Sequence, residues 1–206
     1  MRAMALVGII NYGIGNLTSV QSALQQIKAD SFLIDDLTGF DRATHVILPG
    51  VGAFAQGMEN LHQRGFVSSI HERVVKREKP LLGICLGMQL LGSIGYEFGE
   101  TPGLGIIPGK VIKMEVGSLR LPHVGWNDLN VTRPNSVVTQ EFQNQAVYFV
   151  HSYHFVTEHA DDTCATSDYG MEFAACVSRG KTFGAQFHPE KSQTFGLKLL
   201  KNFVSF

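Results

Sequence analysis

Cys85 stands between two glycines in "GICLGMQLL", residues 83–91, where a continuous apolar run meets a helical pattern. Glycine is unfavourable inside a strand and inside a helix, so Gly83 and Gly87 mark points where the chain nearly touches itself. A strand "PLLGIC" that delivers a cysteine to a sharp turn, with a helix "LGMQLL" leaving from it, is the sulfur counterpart of the G-x-S-x-G nucleophile elbow. The turn lifts the sulfur clear of the backbone. It also sets the sulfur at a helix N-terminus, where the dipole favours a thiolate. A free cysteine is more often a small buried hydrophobe, and the elbow alone leaves the two readings level. Cys164 and Cys176 lack such a frame and read as packing residues. A thiol nucleophile requires a base, and the base an orienting group. "FGAQFHPEKS" supplies His188 and Glu190, which face the same way if the segment is extended. Pro189 stiffens the link, so Glu190 fixes the tautomer of an imidazole turned toward the thiol; taken alone, the pair would read as a surface His and Glu. "LPGVGAF", residues 48–54, follows a buried strand at the same sheet edge. Gly50 and Gly52 let backbone N–H groups turn toward one point, as an oxyanion hole requires, although an ordinary strand-to-helix turn has the same composition.

These residues need a scaffold that brings them together. "AMALVGII" (3–10) reads as a buried strand ended by "NYGIGN". Asn16 is placed to cap the following helix, in which Leu17, Val20, Leu24 and Ile27 share a face. "SFLI", "THVILPG" and "KPLLGIC" read as further strands, and residues 53–77 as helical with a break near Gly65. Strands alternating with helices predict a largely parallel sheet covered on both faces. After about Gly103, "GKVIKM", "AVYFVHSYHFV", "EFAACVSRG" and "KTFGAQFH" follow one another without long helices, which predicts antiparallel pairing. "SQTFGLKLLKNFVSF" reads as a closing amphipathic helix. Neither a linker nor an internal repeat interrupts the chain, so one domain over 1–206 is expected.

Bulk properties narrow the function classes. With 206 residues, 44% of them hydrophobic, the chain can bury a large core, and its net charge of −1 gives no footprint for nucleic acid or an anionic membrane. Three irregularly spaced cysteines suit neither a disulfide framework nor a zinc ribbon. "MRAMALVGII" lacks the length and cleavage site of a signal peptide, and no segment is apolar for long enough to span a bilayer. A cytoplasmic protein without metal or cofactor is expected.

The cysteine elbow, the His188–Glu190 pair and the "LPGVGAF" loop, in this order, resemble the class I glutamine amidotransferases over nearly the whole chain. Together with "NYGIGNLTSV", "PHVGWN", "YFVHSYHF" and "HPEKSQTFGLKLLKNF", the resemblance narrows to the glutaminase subunits that serve a (β/α)₈-barrel cyclase in histidine biosynthesis. It implies an α/β fold, flavodoxin-like, with a mixed but largely parallel central sheet flanked by helices. It implies a Cys85–His188–Glu190 triad that hydrolyses L-glutamine through a thioester. Oxyanion donors would come from Leu86 and from Gly50, Val51 and Gly52, in a loop made productive by the loaded partner. Glutamine would be held by Gly52, Gln89, Glu97, His151, Ser152 and Tyr153, although "GSIGYEFGE" around Glu97 is less acidic than the family's usual stretch. Ammonia would pass, within a heterodimer, to the barrel cyclase, which makes imidazole glycerol phosphate and aminoimidazole carboxamide ribotide. Asn11, Asn16, Trp126 and Lys191 match interface or gate positions. The triad alone equally serves another acceptor enzyme, such as a surface-sugar amidotransferase. A nucleotide-binding regulator built on "NYGIGN" lacks the third glycine of the dinucleotide fingerprint and any lysine of a P-loop. A thiol hydrolase of the same broad fold is a further alternative, over which the carboxylate paired with His188 favours the amidotransferase.

Overall fold

The computed structural model describes residues 5–206, so the first two residues of the expected first strand, Ala3 and Met4, lie outside it. The first half runs β1 (Leu6–Ile10), α1 (Leu17–Gln26), β2 (Asp30–Ile34), α2 (Gly39–Arg42), β3 (His45–Leu48), α3 (Phe54–Gln63), α4 (Phe66–Ser69), a π-helical turn (Ile70–Val75), β4 (Leu81–Ile84) and α5 (Leu86–Leu90). The second half runs β5 (Ile94–Gly95), β6 (Thr101–Pro102), β7 (Gly109–Lys113), β8 (His123–Asp128), β9 (Asn130–Val131), β10 (Ala146–His151), β11 (Tyr153–Thr157), β12 (Thr163–Asp168), β13 (Glu172–Arg179), β14 (Thr182–Ala185) and α6 (Gln193–Val204).

Among the described residues the main sheet has eight strands in the order β2-β1-β3-β4-β14-β13-β12-β9. The first five are mutually parallel and the last three run antiparallel to their neighbours. With β14 as fifth strand, the parallel block has the flavodoxin order, in which ligands bind beyond the carboxyl ends of the strands. The sheet is therefore α/β and mixed, as the sequence implies. Alternation along the strands divides the core. Val7, Ile9, Ile47 and Leu82 pack with Val20 and Leu24 of α1 and Leu199, Leu200 and Phe203 of α6. Ile10, Val46, Leu48 and Leu81 pack with Phe54, Met58 and Leu61 of α3 and with Phe66 and Ile70. Both faces are thus covered, which is why these strands read as continuous apolar runs. The side chain of Asn16 accepts from the Ser19 N–H at 3.2 Å, giving α1 the expected cap. The helical break falls at Gly65, in the left-handed region at φ 67°.

Three expectations change. The "KTFGAQFH" strand, expected to pair antiparallel, is β14, which is antiparallel to β13 but parallel to β4. The run "AVYFVHSYHFV" is two strands, because the chain changes sheet at Ser152. β10 pairs with β8 up to His151↔His123, and β11 pairs with β7 from Tyr153↔Lys113 onward. The helix after Cys85 spans five residues, Leu86–Leu90, not the eight of "LGMQLLGS". So few aligned peptides carry a weak N-terminal field, and the dipole expected to act on the sulfur is correspondingly small.

Candidate active site

Four parallel strands end at one sheet edge: β1 before the 11–16 loop, β3 before "PGVG", β4 before Cys85 and β14 before Gln186. Cys85 follows β4 directly, at φ 53° and ψ −111°. That combination lies outside the ordinary left-handed well and is strained by about 1–3 kcal/mol. Its N–H donates to the Ala185 carbonyl at 2.8 Å, which ties the elbow to β14. The flanking glycines are sterically required. A Cβ on Gly87 would drive into the Leu48 carbonyl, and one on Gly83 would meet the Gly87 carbonyl oxygen at 2.6 Å.

His188 comes from the end of β14. Its N–H donates to the Tyr148 carbonyl at 2.9 Å, and its carbonyl accepts from Ser192 Oγ at 2.7 Å. Its Nδ1 donates to Glu190 Oε1 at 2.8 Å, with both side chains buried. The route differs from the extended one expected. Pro189–Lys191 form a 3₁₀ turn that folds Glu190 back onto the imidazole. Burial pushes His188 toward the neutral form, but its hydrogen bonds to Cys85 and Glu190 and their charges outweigh it, and the pKa rises to about 10.

Cys85 and His188 open on a cavity of about 420 Å³, also lined by Val51, Gly52, Leu86, Gln89, Glu97, His151, Ser152, Tyr153 and Lys191. The structure therefore gathers Cys85 and His188, the expected nucleophile and base, with nearly every residue expected to bind oxyanion or glutamine. Gly50 is the exception: it lies behind the wall, where a Cβ would meet the Tyr12 hydroxyl at 2.5 Å and the Gly87 nitrogen at 2.9 Å. Its smallness packs the loop against the elbow. Gly52 takes φ 98° and faces open space, so it is where this loop has conformational freedom. The 11–16 loop braces the same segment, because the Tyr12 hydroxyl donates to the Pro49 carbonyl at 2.8 Å.

Several lining side chains are engaged within the protein. Glu97 Oε2 accepts from the Phe54 N–H at 2.8 Å, satisfying an open donor at the start of α3. His151 Nδ1 donates to the Tyr153 carbonyl at 2.9 Å, and its Nε2 faces His123 Nδ1 at 3.2 Å; burial lowers its pKa to about 3. Gln89 Nε2 donates to the Tyr153 carbonyl and to Gln186 Oε1, both at 2.9 Å. Sequence reasoning passed over Gln186, although it sits two residues before His188 in the quoted "FGAQFHPEKS". An interior glutamine beside a candidate base was the available signal.

The interface candidates fall in two places. Trp126, 45% exposed, lies 5.7 Å from the ring of Tyr148, and Lys191 Nζ lies 5.8 Å from the same ring. Asn11 Nδ2 donates to Asp35 Oδ1 at 2.6 Å at the end of β1, and Asn16 is the exposed cap of α1. Cys164 and Cys176 are buried and free, away from the cavity lining. No helix among the described residues is long and apolar enough to cross a membrane.

Comparison with known proteins follows the same outline. The family "Glutamine amidotransferase class-I" matches residues 10–205. The imidazole glycerol phosphate synthase subunit HisH of Moorella thermoacetica is 46% identical over 200 residues, covering 97% of this chain and 94% of that protein. The subunit of the same name from Syntrophotalea carbinolica is 45% identical, covering 96% and 98%. Among solved structures, a glutamine amidotransferase superposes with a TM-score of 0.76 at 19% identity, covering 97% of each chain. PurLQS from Thermotoga maritima superposes with a TM-score of 0.69 at 19% identity, covering 98% of this chain and 99% of that one.

Proposed function

From the premise that this chain belongs to the class I glutamine amidotransferases, and among them to the HisH subunits of imidazole glycerol phosphate synthase, we propose that Cys85, His188 and Glu190 form its glutaminase triad. The chain is the glutaminase subunit of that synthase, in histidine biosynthesis. The observation that carries the residue assignment is the convergence of Cys85 and the Glu190-bound His188 on one cavity.

In this reading the thiol proton passes to His188 Nε2, the ring nitrogen not engaged by Glu190. The sulfur attacks the side-chain carbonyl carbon of glutamine, forming the C–S bond and an oxyanion. Backbone N–H groups of Leu86 and the Val51–Gly52 segment would stabilise that oxyanion. Collapse breaks the C–N bond, and the His188 proton leaves with ammonia. The raised pKa of His188 suits this step, because the imidazolium formed by taking the thiol proton stays charged at neutral pH until it gives that proton up. Water then attacks the thioester while His188 takes its proton, releasing glutamate and restoring the thiol. Gly52, Gln89, Glu97, His151, Ser152 and Tyr153 would surround the amino-acid end of the substrate. The ammonia goes to a (β/α)₈-barrel cyclase subunit docked over Asn11, Asn16, Trp126 and Lys191. Three buried free thiols suit the reducing cytoplasm.

The test is the complex with the barrel subunit. Cys85→Ala should abolish glutamine-dependent synthesis and leave ammonia-dependent synthesis intact. Continued use of glutamine would remove Cys85 from the mechanism. A chain that binds a sugar amidotransferase and not the barrel cyclase would overturn the assigned acceptor.

A further inference from the structure

The sulfur of Cys85 has a neighbour to which the proposed triad gives no task. Gln186 is fully buried on the segment leaving β14, two residues before His188, and its Nε2 lies 3.8 Å from Cys85 Sγ. Its other end is anchored, since Oε1 accepts from Gln89 Nε2 at 2.9 Å. The orientation of both amides is settled by a backbone group. The Tyr153 carbonyl can only accept, so the Gln89 atom 2.9 Å from it is nitrogen. That nitrogen spends its second hydrogen on Gln186, so the atom of Gln186 beside it is oxygen. The end facing the sulfur is therefore the N–H donor, and turning the Gln186 amide over would set two donors against each other.

We propose that Gln186 is a further catalytic residue of this site, holding the Cys85 sulfur through an N–H···S hydrogen bond that strengthens as the thiol gives up its proton. A thiol sulfur is a weak acceptor and a thiolate a strong one, so a fixed donor discriminates between the two states. The opposite contact makes the choice sharper. Cys85 Sγ also lies 3.7 Å from the Val150 carbonyl, which can accept the S–H hydrogen but offers nothing to a thiolate. The donor is buried and anchored, so it needs no reorganisation when charge moves onto the sulfur. The helix behind the elbow is too short to supply that field by itself. Gln89 acts through Gln186 and is a positioning residue: both its nitrogen hydrogens are engaged within the protein, which leaves only its oxygen for a substrate.

The inference rests on Cys85 being the nucleophile, so its test uses a readout that needs neither glutamine turnover nor the partner. The full-length chain is treated with iodoacetamide across a pH series, and carboxamidomethylation of Cys85 is followed by peptide mass spectrometry. Gln186→Met keeps the length and removes the donor. Gln186→Glu keeps the shape and sets a carboxylate against the sulfur. The profile should move to higher pH in Gln186→Met and further in Gln186→Glu, and kcat for glutamine in the complex should fall about 10- to 100-fold, as expected for losing a hydrogen bond to a charged group. Gln89→Leu, which releases the anchor, should reproduce part of the shift. If Gln186→Met melts like the parent and keeps its alkylation profile, the donor role is overturned, as it is if only KM for glutamine changes. Should Gln186→Met fail to fold, Gln186→Glu and Gln89→Leu carry the same comparison. A Cys85→Ala chain that still consumes glutamine would instead overturn the triad.

Discussion

At the scale of single residues, the site is a set of protons whose places are fixed by neighbours. His188 has the largest consequence, because its pKa is raised from the ordinary 6.5 to about 10. A group raised on folding contributes stability that is complete below its unfolded pKa and is lost as pH climbs through the folded one. The melting temperature should therefore decline between pH 6.5 and about 10. In Cys85→Ala, which removes one of the two groups holding the proton, the decline should be smaller and should end at lower pH. Ring resonances of His188 in an NMR titration give the direct check: a midpoint near neutrality in the parent chain would contradict the arrangement. That Cys85 and His188 face one cavity, with Glu190 bound to His188, was legible because each sits in a short, unusual frame. Gln186 was not, because its task is visible only once Gln89, from 97 residues away in the chain, is brought to 2.9 Å from it. Gly50 was less legible for the opposite reason. Its glycine is required by close packing against Tyr12 and Gly87, and sequence alone does not separate crowding from conformational freedom.

At the scale of elements, the elbow is held by contact between two turns. Gly87 at the start of α5 lies against the carbonyl of Leu48, the last residue of β3, with no room for a methyl group. Gly87→Ala should destabilise the chain by about 3 kcal/mol or more, at the upper end of overpacking effects, because the obstacle is backbone rather than a side chain able to swing aside. Urea unfolding measures it, and a loss below 1 kcal/mol would mean the elbow yields easily. Strand and helix order was readable in the first half, where β1, β3 and β4 are buried almost throughout and β1 and β3 run into turns of glycine, proline and asparagine. Resolution was poorer beyond residue 103. The 146–156 run is rich in apolar and aromatic residues on both sides of Ser152, and nothing local announces that the strand changes partners there. The direction of β14 was also hidden: its neighbours on either side, β4 and β13, run opposite ways, and the choice depends on the whole sheet.

At the scale of the whole molecule, the sheet sorts function by strand end. The carboxyl ends of β1, β3, β4 and β14 carry the 11–16 loop, the "PGVG" loop, the Cys85 sulfur and the His188 imidazole, so all can meet without long connections. Just beyond that edge, the β8–β10 ribbon presents Trp126, half-exposed beside Tyr148, with the Lys191 ammonium near the same ring. Lys191 also lines the cavity. A partner seated on this aromatic–cationic patch would therefore touch the wall of the glutaminase site. An exposed tryptophan next to a second ring is the kind of anchor on which interface energy concentrates. Trp126→Ala should accordingly weaken association with the barrel subunit at least about 10-fold, while its exposure keeps the change in the chain's own stability within about 0.5 kcal/mol. Lys191→Ala should act differently: at an exposed position its loss should reduce the salt dependence of binding more than the binding itself. Titrating the labelled chain with the barrel subunit at low and high salt separates the two effects. Equal affinities for the parent chain and Trp126→Ala would move the docking face away from β8–β10. It would also remove the physical link by which a partner on this patch reaches the cavity through Lys191.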